Sequence, residues 1–267
     1  MGRLAVLTYN VHCMPGELYT YDELRMNKIV HYLKHMAGKY KIDVIVLNES
    51  FHPRLNREFK EAFSDWHVSH VLNQRQMADL HVSLVPPFLW GNMQVNGGVI
   101  IATRSQPLSC HSIEYSKSCQ FDGLAAKGVM HVEIKKDNQK VHIFGSHLQA
   151  LELPVLCDSG IRASQLLEFK EMVAKLEAQG VVHQDDVVLY VGDFNEPNPP
   201  EKAMVAKAVR CDRSCSCSTF QDARQLDYIM YSTEHRQPTA SKTKIVGKRS
   251  QLSNFSDHFP LLGLLTF

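Results

Sequence analysis

The sequence predicts an α/β fold in which two sheets pack face to face with helices on their outer sides. Three observations point there. Short continuous apolar runs, such as residues 187–191, read as strands buried on both faces. Stretches with apolar residues three and four apart lie between them and read as amphipathic helices. Two β-rich runs flank Asp137-Asn138 as a hairpin, so helix-linked and antiparallel strands occur in one chain. The 267 residues, 44% of them hydrophobic, supply a sizeable core. No linker, repeat or low-complexity block divides them, so residues 1–267 are expected to form one domain.

The elements follow in order. Residues 4–11 are a strand candidate with Asn10 and His12 near its end. Met26, Ile29, Leu33 and Met36 predict a helix over 22–37, with Gly38 as its C-cap. Residues 43–49 repeat the opening design, a buried strand with Glu49 at its exit. Leu55, Phe59 and Phe63 mark a short helix, and 66–72 a further strand. Pro86-Pro87 makes 84–92 an apolar loop carrying Phe88, Leu89 and Trp90. Residues 99–102 form a strand after Asn96-Gly97-Gly98. The hairpin arms are 129–135 and 140–145, with His147 just beyond the second. Leu166, Phe169, Val173 and Leu176 place a helix over about 160–178. The strand at 187–191 stops at Gly192; Asp193 and Asn195 follow, and Pro197 prevents continuation. A helix is expected near 200–209 and a strand at 226–231 that contains Asp227. Residues 234–250 read as a solvated basic loop with Arg236, Lys242, Lys244, Lys248 and Arg249. Asp257-His258 precede a last strand, 261–267.

Composition narrows the function. A net charge of +1 gives no global field toward nucleic acid or anionic membrane. The 7 cysteines show no small-domain disulfide pattern; Cys211, Cys215 and Cys217 read as free thiols in a reducing compartment. No apolar run approaches the ~18 residues that span a bilayer, and the first residues lack a signal-peptide core. The expectation is a soluble protein, cytoplasmic or peripheral at membranes.

Polar residues recur where strands end: Asn10, Glu49, His147, Asp193 with Asn195, Asp227, and Asp257 with His258. Loops leaving a rigid scaffold are where function concentrates. The set holds hard oxygen ligands, which suit Mg²⁺, and imidazoles beside carboxylates, the usual general-base arrangement. Plainer readings stand beside these. Asp193 and Asn195 suit an ordinary turn, Glu49 a cap on the helix after it, and His147 a structural hydrogen bond. Asp227, inside an apolar strand, needs a partner in any reading.

Four motifs, Thr8-Tyr9-Asn10-Val11, Gly192-Asp193-Phe194-Asn195, Leu226-Asp227-Tyr228 and Ser256-Asp257-His258-Phe259-Pro260, resemble those of the endonuclease/exonuclease/phosphatase superfamily of Mg²⁺-dependent phosphoesterases. Leu47-Asn48-Glu49-Ser50-Phe51, Asn96-Gly97-Gly98-Val99, Asp122 through Lys127-Gly128, and Ser146-His147-Leu148-Gln149-Ala150 are similar to the neutral sphingomyelinase branch. The resemblance implies a four-layer α/β sandwich, two packed mixed sheets flanked by helices, with the site at one edge. It implies Glu49, Asn10 and Asp257 at the metal, which is Mg²⁺ or Mn²⁺ in its place. It makes His258 the base, Asp227 its orienting carboxylate, and Asp193 with Asn195 the pair at the nucleophile and phosphate. His147 then stabilises the phosphoryl group, and Asp122 with Lys127 bears on substrate binding and site assembly.

The implied activity is phospholipase C-type hydrolysis of sphingomyelin to ceramide and phosphocholine. A nuclease or phosphatase on the same fold, and a non-catalytic binding protein, are the alternatives. The implied partners are a choline phospholipid and a membrane surface, with no nucleic acid and no obligate protein partner. Two departures stand out. Abasic-site nucleases carry Asp where this chain has His12. The aromatic membrane hairpin of secreted bacterial sphingomyelinases has no counterpart in 233–255, where Phe255 is the one aromatic residue.

Overall fold

The computed structural model describes residues 2–14, 23–73, 95–150, 160–211 and 218–267. The expected apolar loop at 84–92 lies outside them.

The first sheet is built from β1 (Arg3–Cys13), β2 (Val44–Ser50), β3 (His67–Val68), β4 (Ile100–Thr103), β11 (Ala240–Ile245) and β12 (Leu261–Thr266), in the order β11-β12-β1-β2-β4-β3. The second is built from β5 (Pro107–Glu114), β6 (Gly128–Lys136), β7 (Gln139–His147), β8 (Val187–Asp193), β9 (Ala206–Ala208) and β10 (Asp227–Ser232), in the order β5-β6-β7-β8-β10-β9. Both sheets are mixed: β1 pairs parallel to β2 and β7 parallel to β8, and the other pairings are antiparallel.

The pleat sorts each strand between two faces. Leu4 and Val6 of β1, Val44 and Val46 of β2, Val187, Leu189 and Val191 of β8 and Ile229 of β10 meet in the core between the sheets. Ala5, Leu7, Tyr9 and Val11 point the other way, onto helices α1 (Glu23–Tyr40) and α2 (Pro53–Ala62). Val188, Tyr190, Tyr228 and Met230 face α3 (Ile161–Ala178). The result is four layers, helix–sheet–sheet–helix. Each fully buried Leu or Phe in these layers stabilises the fold by about 1.5–3 kcal/mol.

Several expectations change. Helix α1 runs past Gly38 to Tyr40, because the reversal happens at Lys41, φ 49°. Ile42 N donates to Ala37 O and Lys41 N to Gly38 O, a Schellman closure with lysine in the left-handed position. The helix expected near 200–209 is one turn, α4 (Glu201–Met204), followed by β9, which pairs with β10. The strand at 66–72 shortens to β3. The basic loop at 234–250 contains β11 and the short helix α5 (Arg249–Leu252). Lys244 lies over the Tyr40 ring, and Arg249 over Phe259 while it bonds Ser218, so two of these cations are engaged within the protein. Phe255 packs against Tyr32. Cys13 and Cys110 are free, but Cys119 and Cys211 each take part in a disulfide, which corrects the free-thiol reading at Cys211. No helix of the described residues is long and apolar enough to cross a membrane.

One buried polar network bears on stability. On the helix side of the second sheet, His131 Nε2 lies 3.0 Å from His142 Nδ1, and His142 Nε2 lies 3.1 Å from Asp186 Oδ2. The carboxylate must accept, so His142 donates to it and takes the His131 proton on its other nitrogen. Burial first, then the neighbouring histidines, depress the His131 pKa to about 3. The unfolded chain, with a pKa near 6.5, therefore binds a proton that the folded chain refuses as pH falls from about 6.5 toward 3. Stability is lost across that window, about 3 kcal/mol between pH 7 and pH 4 from this one group. Glutamine at position 131 keeps an N–H donor and does not titrate. Urea unfolding of His131→Gln should show an acid loss smaller by about that amount; an unchanged loss would show that His131 is not its source.

Candidate active site

Topology brings the polar strand ends together. Strands β1 and β2 are parallel, so Asn10 and Asn48 pair near the point where both chains leave the sheet. Strands β7 and β8 are parallel as well, pairing His147 with Asp193. Strand β10 enters antiparallel, which sets its first residue, Asp227, opposite Asp193. The segment before β12 delivers Asp257 and His258 to the same edge, since β12 is antiparallel to β1.

The pleat explains which side chains meet. Asn10 continues the inner-face series of Leu4 and Val6 in β1. Asp193 continues that of Leu189 and Val191 in β8, and Asp227 precedes Ile229 by two in β10. Strict alternation would turn Glu49 toward the helices. Its backbone is left-handed instead, φ 53°, and this brings the carboxylate to Asn10. His12 (φ 45°) and Asn195 (φ 51°) are left-handed at the same edge. Such backbone costs of order 1–3 kcal/mol per residue and collects at functional sites. Gly192, φ 139°, has no substitute, because a Cβ there would sit 2.0 Å from Ser146 O.

Asn10 is fully buried and joins two carboxylates, its Nδ2 donating to Glu49 Oε1 at 2.9 Å and Asp193 Oδ2 at 3.0 Å. His12 N–H must meet an oxygen, so the amide orientation is decided: Oδ1 takes that proton and the nitrogen faces the carboxylates. Asn10 therefore orients the acidic groups, and its oxygen is turned away from them. Asp193 Oδ1 accepts from Asn195 N at 2.9 Å, while Asn195 Nδ2 donates to Leu148 O.

His258 Nδ1 lies 2.8 Å from Asp227 Oδ2, and its Nε2 lies 3.6 Å from Asp193 Oδ2. Thr219 Oγ1 fixes the start of β10 by accepting from Leu226 N and Asp227 N. Phe220 packs edge-on against the His258 ring. Burial opposes a charge on His258, but Asp227 and then Asp193 outweigh it and raise its pKa. Burial and then Asp227 push the Asp193 carboxyl up. The neighbours thus share a proton as a unit.

His147 Nε2 sits 3.8 Å from Glu49 Oε1 and 3.9 Å from Asp193 Oδ2. Lys127 Nζ lies 3.3 Å from the same nitrogen, and it also meets Asp122 Oδ1 at 2.8 Å and Leu148 O at 3.0 Å. An ammonium only donates, so Nε2 accepts and the imidazole proton is on Nδ1. Burial, then Lys127 and His258, hold His147 well below its ordinary pKa, and it is neutral. Asp122 Oδ2 also accepts from Ala150 N.

Two groups of side chains could hold a metal ion among the described residues: Glu49, His147 and Asp193, and Asp193, Asp227 and His258. The first offers two carboxylates, which suit a divalent ion, beside an imidazole whose Nε2 lone pair faces Lys127. In the second, Asp227 engages His258 Nδ1 and leaves Nε2 facing Asp193. Asp257 joins neither group; its Oδ1 lies 3.5 Å from His12 Nδ1. The plainer role for Glu49 is not taken, because His52 caps α2 by accepting from Arg54 N. Thr219 and Phe220 are beyond the reach of sequence reasoning. Nothing local marks them: Phe220 meets the ring of His258, far along the chain, and Thr219 holds two backbone N–H groups that any residue would offer.

No protein-family model matches the chain. Among curated proteins, it is 23% identical to a sphingomyelinase C of Bacillus cereus over 308 residues, covering 98% of this chain and 89% of that protein. Among solved structures, sphingomyelinase C from Streptomyces griseocarneus superposes with a TM-score of 0.76 at 20% identity, over 100% of both chains. A double mutant of Staphylococcus aureus beta toxin with bound magnesium ions gives a TM-score of 0.74 at 22% identity, over 99% of each chain.

Proposed function

We propose that this chain, which resembles the sphingomyelinase branch of the endonuclease/exonuclease/phosphatase superfamily and has its fold, is a metal-dependent phosphodiesterase of phospholipase C type acting on sphingomyelin. Residues 1–267 act as one catalytic domain. The observation that carries the reading is the run Glu49–Asn10–Asp193–His258–Asp227, buried from Asn10 onward and each member within 3.6 Å of the next. Sequence similarity to sphingomyelinases C over nearly the whole chain supports the substrate class.

Glu49 and Asp193, with His147 beside them, would hold Mg²⁺. When bound, the ion polarises a phosphoryl oxygen and offsets charge on the departing alkoxide. Asp227 accepts the Nδ1 proton of His258 and so leaves Nε2 facing the acidic side of the site. His258, through Nε2, takes the proton from the attacking water, and Asp193 faces that nitrogen at 3.6 Å. Asn195 spends one amide hydrogen on Leu148 O and offers the other to a phosphoryl oxygen. Lys127, anchored by Asp122, fixes the His147 ring by donating to Nε2. The product is phosphocholine, with ceramide leaving.

Membrane contact belongs to the same proposal, because sphingomyelin sits in a bilayer. Phe88, Leu89 and Trp90, whose apolar loop would either touch lipid or pack onto the core, lie outside the described residues. The test is a substrate panel with Mg²⁺: sphingomyelin liposomes, a soluble phosphocholine ester and labelled DNA. Release of phosphocholine from the first two with intact DNA is expected. Cleavage of DNA alone would transfer the chain to the nuclease reading.

A further inference from the structure

We propose that Arg25 is a positioning residue that holds the two halves of the catalytic edge in register; its effect on rate rests on the phosphodiesterase reading above. Strand β1 loses its regular pairing with β2 between Asn10 and Cys13, where His12 is left-handed. The carbonyls of Val11 and His12 consequently leave the ladder. Arg25, near the start of α1, collects them. Its Nη1 donates to Val11 O at 3.1 Å and to Phe255 O, and its Nη2 donates to His12 O at 3.0 Å.

These three carbonyls belong to segments at opposite ends of the chain. Val11 and His12 continue directly from Asn10, which orients Glu49 and Asp193. Phe255 precedes Ser256, whose hydroxyl donates to Asn10 O at 2.8 Å and accepts from His258 N at 3.1 Å. One guanidinium therefore pins both the carboxylate half and the imidazole half from behind. The oxygens it holds are all backbone carbonyls, so it acts on the proton relay through the chain and not through the relay's side chains. Only a planar, forked cation reaches all three oxygens; a lysine ammonium is a point charge on one stem. Without the fork, His12 can relax from its left-handed turn and take Asn10 Oδ1 with it. Misplacement by about 1 Å costs on the order of 10²-fold in rate.

The test compares the wild type with Arg25→Lys and Arg25→Gly on a soluble phosphocholine ester. For Arg25→Lys, kcat is expected to fall on the order of 10–10²-fold, with KM little changed. Millimolar guanidinium should restore part of the rate of Arg25→Gly and none of the rate of Glu49→Gln. Amide exchange at His12 and His258 should quicken in Arg25→Lys, while the amides of β8 stay protected. Wild-type kcat in folded Arg25→Lys, or unchanged exchange at both amides, would overturn the proposal. If the wild type fails to hydrolyse the ester, the functional reading falls; the exchange comparison still decides whether Arg25 holds the two segments together.

Discussion

Glu49→Gln loses most of the hydrolytic activity and keeps the fold. Glutamine retains an oxygen that can accept from Asn10 Nδ2, so the hydrogen bond that holds position 49 in its left-handed backbone survives. What disappears is the negative charge next to Asp193 and His147, in the group suited to a divalent ion. A loss on the order of 10²-fold or more at low Mg²⁺ is expected, since even groups that only support a metal ligand cost 10–100-fold. Excess Mg²⁺ should recover part of the rate by mass action. The measurement is the initial rate against Mg²⁺ concentration, with the melting temperature as the control for folding. Full activity at low Mg²⁺ would remove Glu49 as a principal ligand.

His258→Ala should lower kcat by on the order of 10²–10⁴-fold, the usual contribution of a general base. Asp227→Asn should also reduce kcat, for a different reason. The carboxylate accepts the Nδ1 proton of His258 at 2.8 Å. An asparagine that turns its nitrogen to the ring would donate there and move the imidazole proton to Nε2, where it blocks proton uptake. With His258 absent, Asp227 has no ring to orient. The double mutant should therefore be about as slow as His258→Ala alone. Losses that multiply in full would show that the two residues act independently.

The fold is legible in the sequence where burial is two-sided. Residues 4–11, 43–49 and 187–191 are apolar on both faces because one faces the other sheet and one faces helices. The edge strands are harder to see. Nothing in the sequence marks β5, and β11 reads as a loop, because an edge strand is half exposed and carries polar and charged residues. β9 is hidden for another reason: its three residues are strand only through pairing with β10.

The candidate site is legible as a set of polar residues at strand ends, since the parallel and antiparallel pairings gather those ends at one edge. Its geometry is not. The left-handed turn at Glu49, the amide orientation of Asn10 and the placement of Lys127 on His147 Nε2 are marked by nothing local in the sequence. Arg25 has no sequence signal at all, because the three oxygens it holds are backbone carbonyls, which every residue offers.

The functional reading of this edge depends on its hydrolysing a choline phosphodiester with a divalent ion held by Glu49 and its neighbours. That dependence is measured by phosphocholine release from sphingomyelin liposomes, using chelator-stripped protein titrated with Mg²⁺. No release is expected without metal, then saturable recovery as Mg²⁺ is added, with the curve displaced to higher Mg²⁺ for Glu49→Gln. Equal release with and without metal, or no release at any Mg²⁺ concentration, would contradict the proposed chemistry.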